Sequence, residues 1–415
     1  MNFYIDPGTG SMLFTILIGV LGAGVYGCRK LIMKLRFLLT GGKNEKGGNK
    51  KIPYVVFADH KRYWNVFGPI CREMDKRGLE AVYMTASPDD PALQETFKHV
   101  KCQFIGEGNK AYAKLNMLRA DVLLATTPGL EVYQWKRSKE VGHYAHILHM
   151  VSDATLYRMF GLDYFDSVLL TGQYQVDQIR KLEELRNLPA KELPLVGQPY
   201  MDGLLERLQK SPKQTHHDIT VLLAPSWGKS SILNKYGEKA IQALVDTGYK
   251  IIVRPHPQSF TSEKELMDSL MKKFPNVEWN RDQDNFQVLE RSDIMISDFS
   301  GVMFDFALVF QKPIIYADTA FDTAPYDACW LEEEPWTFRV LPQIGAALPE
   351  DGLEHVKELI DSCLQDDRYR EGLEQARQES WCHMGESAKL TVDFLMEKRA
   401  QLSENTGKEQ ENVHI

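Results

Sequence analysis

Short apolar runs separated by helix-length segments recur along this chain, and that rhythm leaves few folds open. Tyr54–Ala58, Ala81–Met84, Val122–Ala125, His146–Met150 and Val168–Thr171 each have strand length, with helix-like segments such as Val66–Arg77 and Tyr174–Arg186 between them. A second set follows: Ile219–Ala224, Lys250–Arg254, Ile294–Ile296 and Ile314–Tyr316, alternating with helical Lys239–Thr247 and Glu263–Lys273. Strands that alternate with helices bury both faces of a parallel sheet. The expected fold is α/β, with two Rossmann-like domains facing across a cleft, and 415 residues suffice for two domains of ordinary size. The boundaries read as a membrane anchor with its basic flank (1–39), a Gly/Lys/Asn-rich linker (40–51), an N-terminal Rossmann-like domain (52–211), a C-terminal Rossmann-like domain (212–400) and a disordered polar tail (401–415). Ser211 to Asp218 is the connection between the domains.

The amino terminus sets the expected location. Met12 to Cys28 is uncharged and mostly apolar, near the lower length limit for a bilayer span. Arg29, Lys30, Lys34 and Arg36 follow it, and basic residues mark the cytoplasmic side. The expected location is the cell membrane, with the catalytic domains on its cytoplasmic face. Gly19, Gly22, Gly24 and Gly27 dilute the segment, so a helix lying in the interface is the alternative to one that spans. The formal net charge of −8 argues against a nucleic-acid partner. The six cysteines are scattered without a CxxC pair, as in a chain of reduced thiols.

Candidate site residues cluster where strands end. Ser292 to Ala317 reads as strand, small polar turn, apolar helix and strand. In its turn, Ser297, Asp298, Ser300 and Gly301 offer a helix cap and a close backbone approach, which is what a phosphate needs. Asp305 is the only charge from Gly301 to Gln311. It is either an acceptor for a ligand hydroxyl, such as that of a ribose, or a complement to the helix dipole. Arg254-Pro255-His256-Pro257 closes another strand in a rigid turn. There His256 can donate to a phosphate oxygen, protonate a leaving group, or be satisfied by backbone carbonyls, and Arg254 binds phosphate or a neighbouring carboxylate. The turn Pro225–Ser231 carries Ser226, Gly228 and Lys229 after a strand but lacks P-loop spacing. It is a phosphate cradle or a solvated loop. In the first domain His143, His146 and His149 crowd HYAHILHM. If that segment is a strand the three do not share a face, and His149, before the polar Ser152-Asp153, is the candidate base. No acidic set completes a metal site, and no cofactor is expected.

At these residues the chain resembles the CDP-glycerol glycerophosphotransferase family, the teichoic-acid primases and polymerases. The resemblance rests on an ordered series: Val196-Gly197-Gln198-Pro199-Tyr200-Met201-Asp202, Leu223-Ala224-Pro225-Ser226-Trp227-Gly228, Arg254-Pro255-His256-Pro257, and Asp298-Phe299-Ser300-Gly301 through Asp305 to Lys312-Pro313. It spans about residues 140–320. Two departures stand out: the W-H-G-type motif is Leu148-His149-Met150 here, and D-Y-S-S is Asp298-Phe299-Ser300-Gly301, with one hydroxyl fewer. The resemblance implies a GT-B-like fold, CDP-glycerol or a related CDP-alcohol as donor, a lipid-linked membrane acceptor, and one central histidine from each domain, His149 and His256.

Overall fold

The computed structural model describes residues 51–413 except 213–217, 283, 299, 318–320 and 350; of the first fifty residues it describes only Gly24, Cys28 and Leu35. The expected membrane segment, residues 12–28, therefore lies almost wholly outside the described residues. Among those described, no helix is long and apolar enough to cross a membrane.

Two six-stranded sheets carry the molecule, and every strand pair in them is parallel. The first contains β1 (Ile52–Ala58), β2 (Ala81–Thr85), β3 (Val100–Phe104), β4 (Ala120–Ala125), β5 (Val141–Ile147) and β6 (Ser167–Leu169), in the order β3-β2-β1-β4-β5-β6. The second contains β7 (Thr220–Leu223), β8 (Lys250–Val253), β9 (Glu278–Trp279), β10 (Ile294–Ser297), β11 (Ile314–Ala317) and β12 (Gly345–Leu348), in the order β12-β11-β10-β7-β8-β9. Counted from its own first strand, the second sheet repeats the order of the first. Both are doubly wound, so each has one place where the order reverses: between β1 and β4, and between β7 and β10. Crevices open at the carboxyl ends of the strands at those points.

The apolar patterns explain the layers. In β1, Val55, Val56, Phe57 and Ala58 are all essentially inaccessible, as a strand covered on both faces requires. The helical stretch after β10 is apolar all round, with Met303, Phe304 and Phe306–Phe310 all buried. It begins as α-helix at Val302–Phe304 and widens to a π-helical turn over Asp305–Val309.

Buried carboxylates join the halves. Asp153 accepts from the backbone N–H groups of Trp336 (2.7 Å) and Thr337 (2.8 Å), and from the Thr337 hydroxyl. Asp327 accepts from the Phe160 N–H (2.9 Å) and from Arg186, which also pairs with Asp163 at 2.8 Å. The last helix, Ser387–Val413, returns to the first sheet's domain. Val392 and Leu395 enter that domain's core, Arg77 pairs with Asp393, and Arg399 pairs with Asp121 at 3.0 Å. This helix runs straight through the expected division at residue 400 and through most of the expected tail. The polar composition from Ser403 onward concealed it, because a helix anchored by its first turns tolerates a solvated end.

The Gly197–Asp202 motif is the joint at which these pieces meet. The Asp202 carboxylate accepts from Trp381 Nε1 (3.0 Å) and from the N–H groups of Gly385 (2.8 Å) and Ser387 (2.9 Å). Gly197 has φ +87°, and a Cβ there would stand 2.4 Å from the Cys382 carbonyl oxygen and 2.5 Å from Ser387 Oγ. Gly197→Ala is therefore expected to destabilise the protein by about 2 kcal/mol or more in urea unfolding, through left-handed strain and backbone collision together. Unchanged stability would refute this account of the motif.

Candidate functional site

The polar groups gather at the two reversal points. In the second half, β7 leads into the turn Pro225–Ser231, and Asp298, the residue after β10, stands across the crevice from it. Asp298 is buried, and its carboxylate accepts from the N–H of Ser226 (2.9 Å) and of Ile232 (3.1 Å). It shapes the turn, so its contribution to a ligand is indirect. Ser297, expected at the ligand, is fully buried, and its hydroxyl donates to the Ala224 carbonyl at 2.7 Å. As the last residue of a strand covered on both faces it points into the sheet, which a one-dimensional reading of the turn could not resolve.

The turn itself is built to face outward. Gly228 has φ +93° with open space where a Cβ would be, and its N–H donates to Glu263 at 2.8 Å. Ser226 is buried, and its hydroxyl oxygen has no hydrogen-bond partner. Trp227 is 48% exposed and its ring lies 6.4 Å from that of His256. His256 is held by its own turn: its Nδ1 accepts from the Gln258 N–H at 3.1 Å, which leaves Nε2 for a ligand. Burial, then the Arg62 charge, lowers its pKa, against the opposing pull of Asp298 and Glu263. Arg254 is occupied beside the site. It donates to the Asn280 side chain and, at 2.8 Å, to the Asp282 carbonyl.

In the first half, β5 ends just before His149. His143 and His146 lie on β5 three positions apart and therefore on opposite faces, His143 at 2.9 Å from Ser167 Oγ. His149 has Thr126 Oγ1 and the Tyr157 hydroxyl each 3.2 Å from its Nδ1, and the Tyr63 ring 5.0 Å away edge-on. Burial, then Arg62, pushes its pKa down to about 4.

The two halves meet here. Met150, next to His149, lies against Gly301 at the start of the apolar helix; a Cβ on Gly301 would be 3.6 Å from Met150 Cε. Arg62, on the turn after β1, acts electrostatically on both His149 and His256, so its guanidinium serves both sides of the cleft. It is exposed, donates to the Tyr63 hydroxyl at 2.9 Å and stacks 4.8 Å from the centre of that ring. Arg62, Thr126 and Tyr157 escaped the sequence reading. The available signal was Asp59-His60-Lys61-Arg62 directly after an apolar strand, the same polar strand end that marked the second half.

Asp305 stands five residues after Ser300 in the π-turn. Burial pushes its pKa up to about 8, while burial and then the Asp305 charge raise that of Tyr200. A carboxyl stabilised by the helix dipole would shift the other way. Two cavities, about 960 Å³ beside Lys239 and Lys357 and about 660 Å³ beside Arg72 and Arg207, contain none of the residues expected at the site. Among the described residues no group of three or more His, Cys, Asp or Glu is placed to hold a metal ion.

Fold and strand-end crevices together define a two-sheet α/β protein of GT-B-like architecture. The chain belongs to the CDP-glycerol:poly(glycerophosphate) glycerophosphotransferase family, which it matches over residues 173–392. The minor teichoic acid biosynthesis protein GgaB of Bacillus subtilis is 28% identical over 157 residues, 36% of this chain but only 15% of that relative's length. Among solved structures, the wall teichoic acid polymerase TagF superimposes with a TM-score of 0.57 at 14% identity, covering 91% of this chain and 98% of the other. A UDP-GlcNAc 2-epimerase from Neisseria meningitidis gives 0.53 at 13% identity, covering 84% and 100%. Those two likenesses show the fold.

Two titration experiments test the site's electrostatics. His146 and His149 have folded pKa values of about 3 and about 4, below the ordinary 6.5. The unfolded chain therefore binds more protons as pH falls below 6.5, and stability must decline from there towards pH 4, by up to about 1.4 kcal/mol per pH unit for each group. Urea titrations across that range should show the decline, and His146→Gln should flatten it. Asp305 has the opposite sign: its folded pKa is raised, so its unfavourable contribution grows as pH rises from about 4 to about 8. Asp305→Asn should raise Tm relative to wild type at pH 8; a lower Tm would mean that the carboxylate has a charged partner.

Proposed function

We propose that the protein transfers glycerol phosphate from CDP-glycerol to a hydroxyl of a membrane-linked acceptor in the synthesis of a teichoic-acid-like or capsular cell-envelope polymer, releasing CMP. The observation that carries this reading is the family match across residues 173–392, which includes the His256 turn and the Ser300-Gly301 helix start. It is supported by the soak of CDPG into the related polymerase TagF. In the reaction an acceptor oxygen forms a bond to the glycerol-bearing phosphorus, and the bond from that phosphorus to the bridging oxygen breaks, so that CMP leaves. His149 takes the hydroxyl proton; its low pKa keeps it unprotonated at neutral pH. His256 Nε2, Arg62 and the backbone N–H groups after Ser300 face the charge that builds on the phosphoryl oxygens. Ser226 Oγ, buried without a partner, is a ready contact for the nucleotide, and Trp227 offers an exposed ring for stacking. Catalysis of this kind is mostly positioning and electrostatics. The apolar segment 12–28 with its basic flank would hold the catalytic domains at the cytoplasmic face of the cell membrane, where a lipid-linked acceptor resides.

The direct assay supplies CDP-glycerol and a synthetic lipid-linked glycerol phosphate, and measures CMP. His256→Ala and His149→Ala should each lower kcat by about 100-fold or more. Arg62→Ala should lower it by about 10-fold or more, with a smaller change in KM. Full activity in His256→Ala would remove that histidine from the mechanism.

A further inference from the structure

Behind His149 lies a hydrogen-bonded group that the mechanism above does not use. The Tyr157 hydroxyl stands 3.2 Å from His149 Nδ1 and 3.3 Å from His146 Nε2, so it bridges the two imidazoles. The His146 and Tyr157 rings meet edge-on, 5.3 Å between centres at 87°. Thr126 Oγ1 is a second oxygen at His149 Nδ1, also at 3.2 Å. Thr126 follows β4, His146 and His149 lie at the end of β5, and Tyr157 returns to them after the short turn Ala154–Leu156. His146 is 0% exposed and Phe165 packs 5.0 Å from its ring, so the Tyr157 hydroxyl is its partner on a closed side.

We infer that Tyr157 and His146 are positioning residues that fix the tautomer of His149, holding its proton on Nδ1 and presenting the bare Nε2 lone pair to the acceptor hydroxyl. This deepens the functional reading above and rests on it for the identity of the reaction.

The direction of the relay follows from the base itself. Nε2 of His149 can take a proton only if the one hydrogen of the neutral ring sits on Nδ1, and two hydroxyl oxygens stand 3.2 Å from that nitrogen to accept it. His146 Nε2 faces the same Tyr157 hydroxyl from the other side. His146 Nε2 then accepts from the Tyr157 O–H. The Tyr157 oxygen, having donated its only hydrogen, can only accept from His149, which requires His149 Nδ1–H. Thr126 Oγ1 accepts from the same N–H or turns its own hydrogen elsewhere. A single neutral imidazole cannot carry hydrogen on both nitrogens without gaining charge, so Nε2 is left as the base. When Nε2 takes the acceptor's proton, the ring becomes an imidazolium and its Nδ1–H bond to Tyr157 strengthens, which orients the ring as it acquires charge. The other groups that face this cluster are Arg62, Tyr63 and Asp59 on the strand-end turn after β1. Arg62 disfavours the imidazolium, and Asp59 acts on Tyr157 and Tyr63 by its charge.

The test separates the relay from the reaction. Nitrogen-15 NMR of the histidine-labelled full chain at pH 7, with His149 assigned by loss of its signals in His149→Asn, reads the tautomer without substrate. The expected spectrum has His149 protonated at Nδ1 and bare at Nε2, and Tyr157→Phe should mix the two tautomers. With CDP-glycerol and the lipid-linked glycerol phosphate, Tyr157→Phe should lower kcat by about 10- to 100-fold while KM for CDP-glycerol stays within about 2-fold. A proton on His149 Nε2 in the wild-type protein overturns the inference, as does a Tyr157→Phe protein with unchanged kcat. If wild type releases no CMP, the functional reading fails and the tautomer alone decides the relay. If Tyr157→Phe does not fold, the wild-type spectrum still decides it.

Discussion

One buried carboxylate holds the second half of the cleft in shape. Asp298 directly follows β10, and by accepting from the N–H groups of Ser226 and Ile232 it closes the turn after β7 across the reversal point of the sheet. Without that bond the turn would carry buried donors with no acceptor, at a cost of about 1–3 kcal/mol each. With it, Ser226, Trp227 and Gly228 are presented next to His256, and the helix start at Gly301 faces Met150. The remaining geometry of the cleft depends on where this turn sits.

The same device recurs at larger scale. Asp153 and Asp327 fasten the two sheets to each other, and Asp202 fastens the inter-sheet helix to the start of the final helix. Asp153 and Asp202 each accept from two backbone N–H groups, and Asp327 from one beside the Arg186 guanidinium, arrangements that make a buried carboxylate tolerable. These are alignment devices. They decide how the two crevices face one another, and the chemistry requires that alignment because its charged and titratable groups come from both sides. The return of Ser387–Val413 onto the first sheet adds a second covalent crossing, so the halves are tied at both ends of the second sheet.

Inside the cleft, desolvation and one cation set the protonation states. Burial lowers the basicity of His146, His149 and His256, and Arg62 adds to the effect on the latter two. A neutral imidazole beside a fixed guanidinium suits a transfer in which a proton must be taken while negative charge is held. Asp305 shows the converse: with no cation beside it, burial turns a carboxylate into a neutral acid. It lies in a π-helical turn, a departure from regular helix that recurs at functional sites.

Apolar runs and their spacing determined the fold class. Strands buried on both faces must read as continuous hydrophobic segments, and the inner strands of both sheets were visible that way; the edge strands β3, β9 and β12 were not, because a short or half-exposed edge strand carries no such run. The strand-end location of His149, His256 and the Ser300-Gly301 turn was equally legible, since polar residues directly after an apolar strand have nowhere else to go. Which side chains face the cleft was decided only by the tertiary structure. Ser297 turns into the sheet, Asp298 serves a backbone turn, and Arg254 is spent on Asn280 and Asp282, because a one-residue change of position at a strand end reverses the direction of the side chain. Arg62 and Thr126 reach His149 from other strand ends, and Tyr157 folds back to it across a turn; such convergence is not written in local pattern. The end of the final helix beyond residue 400 escaped for a different reason: its polar sequence carries no apolar period to announce it.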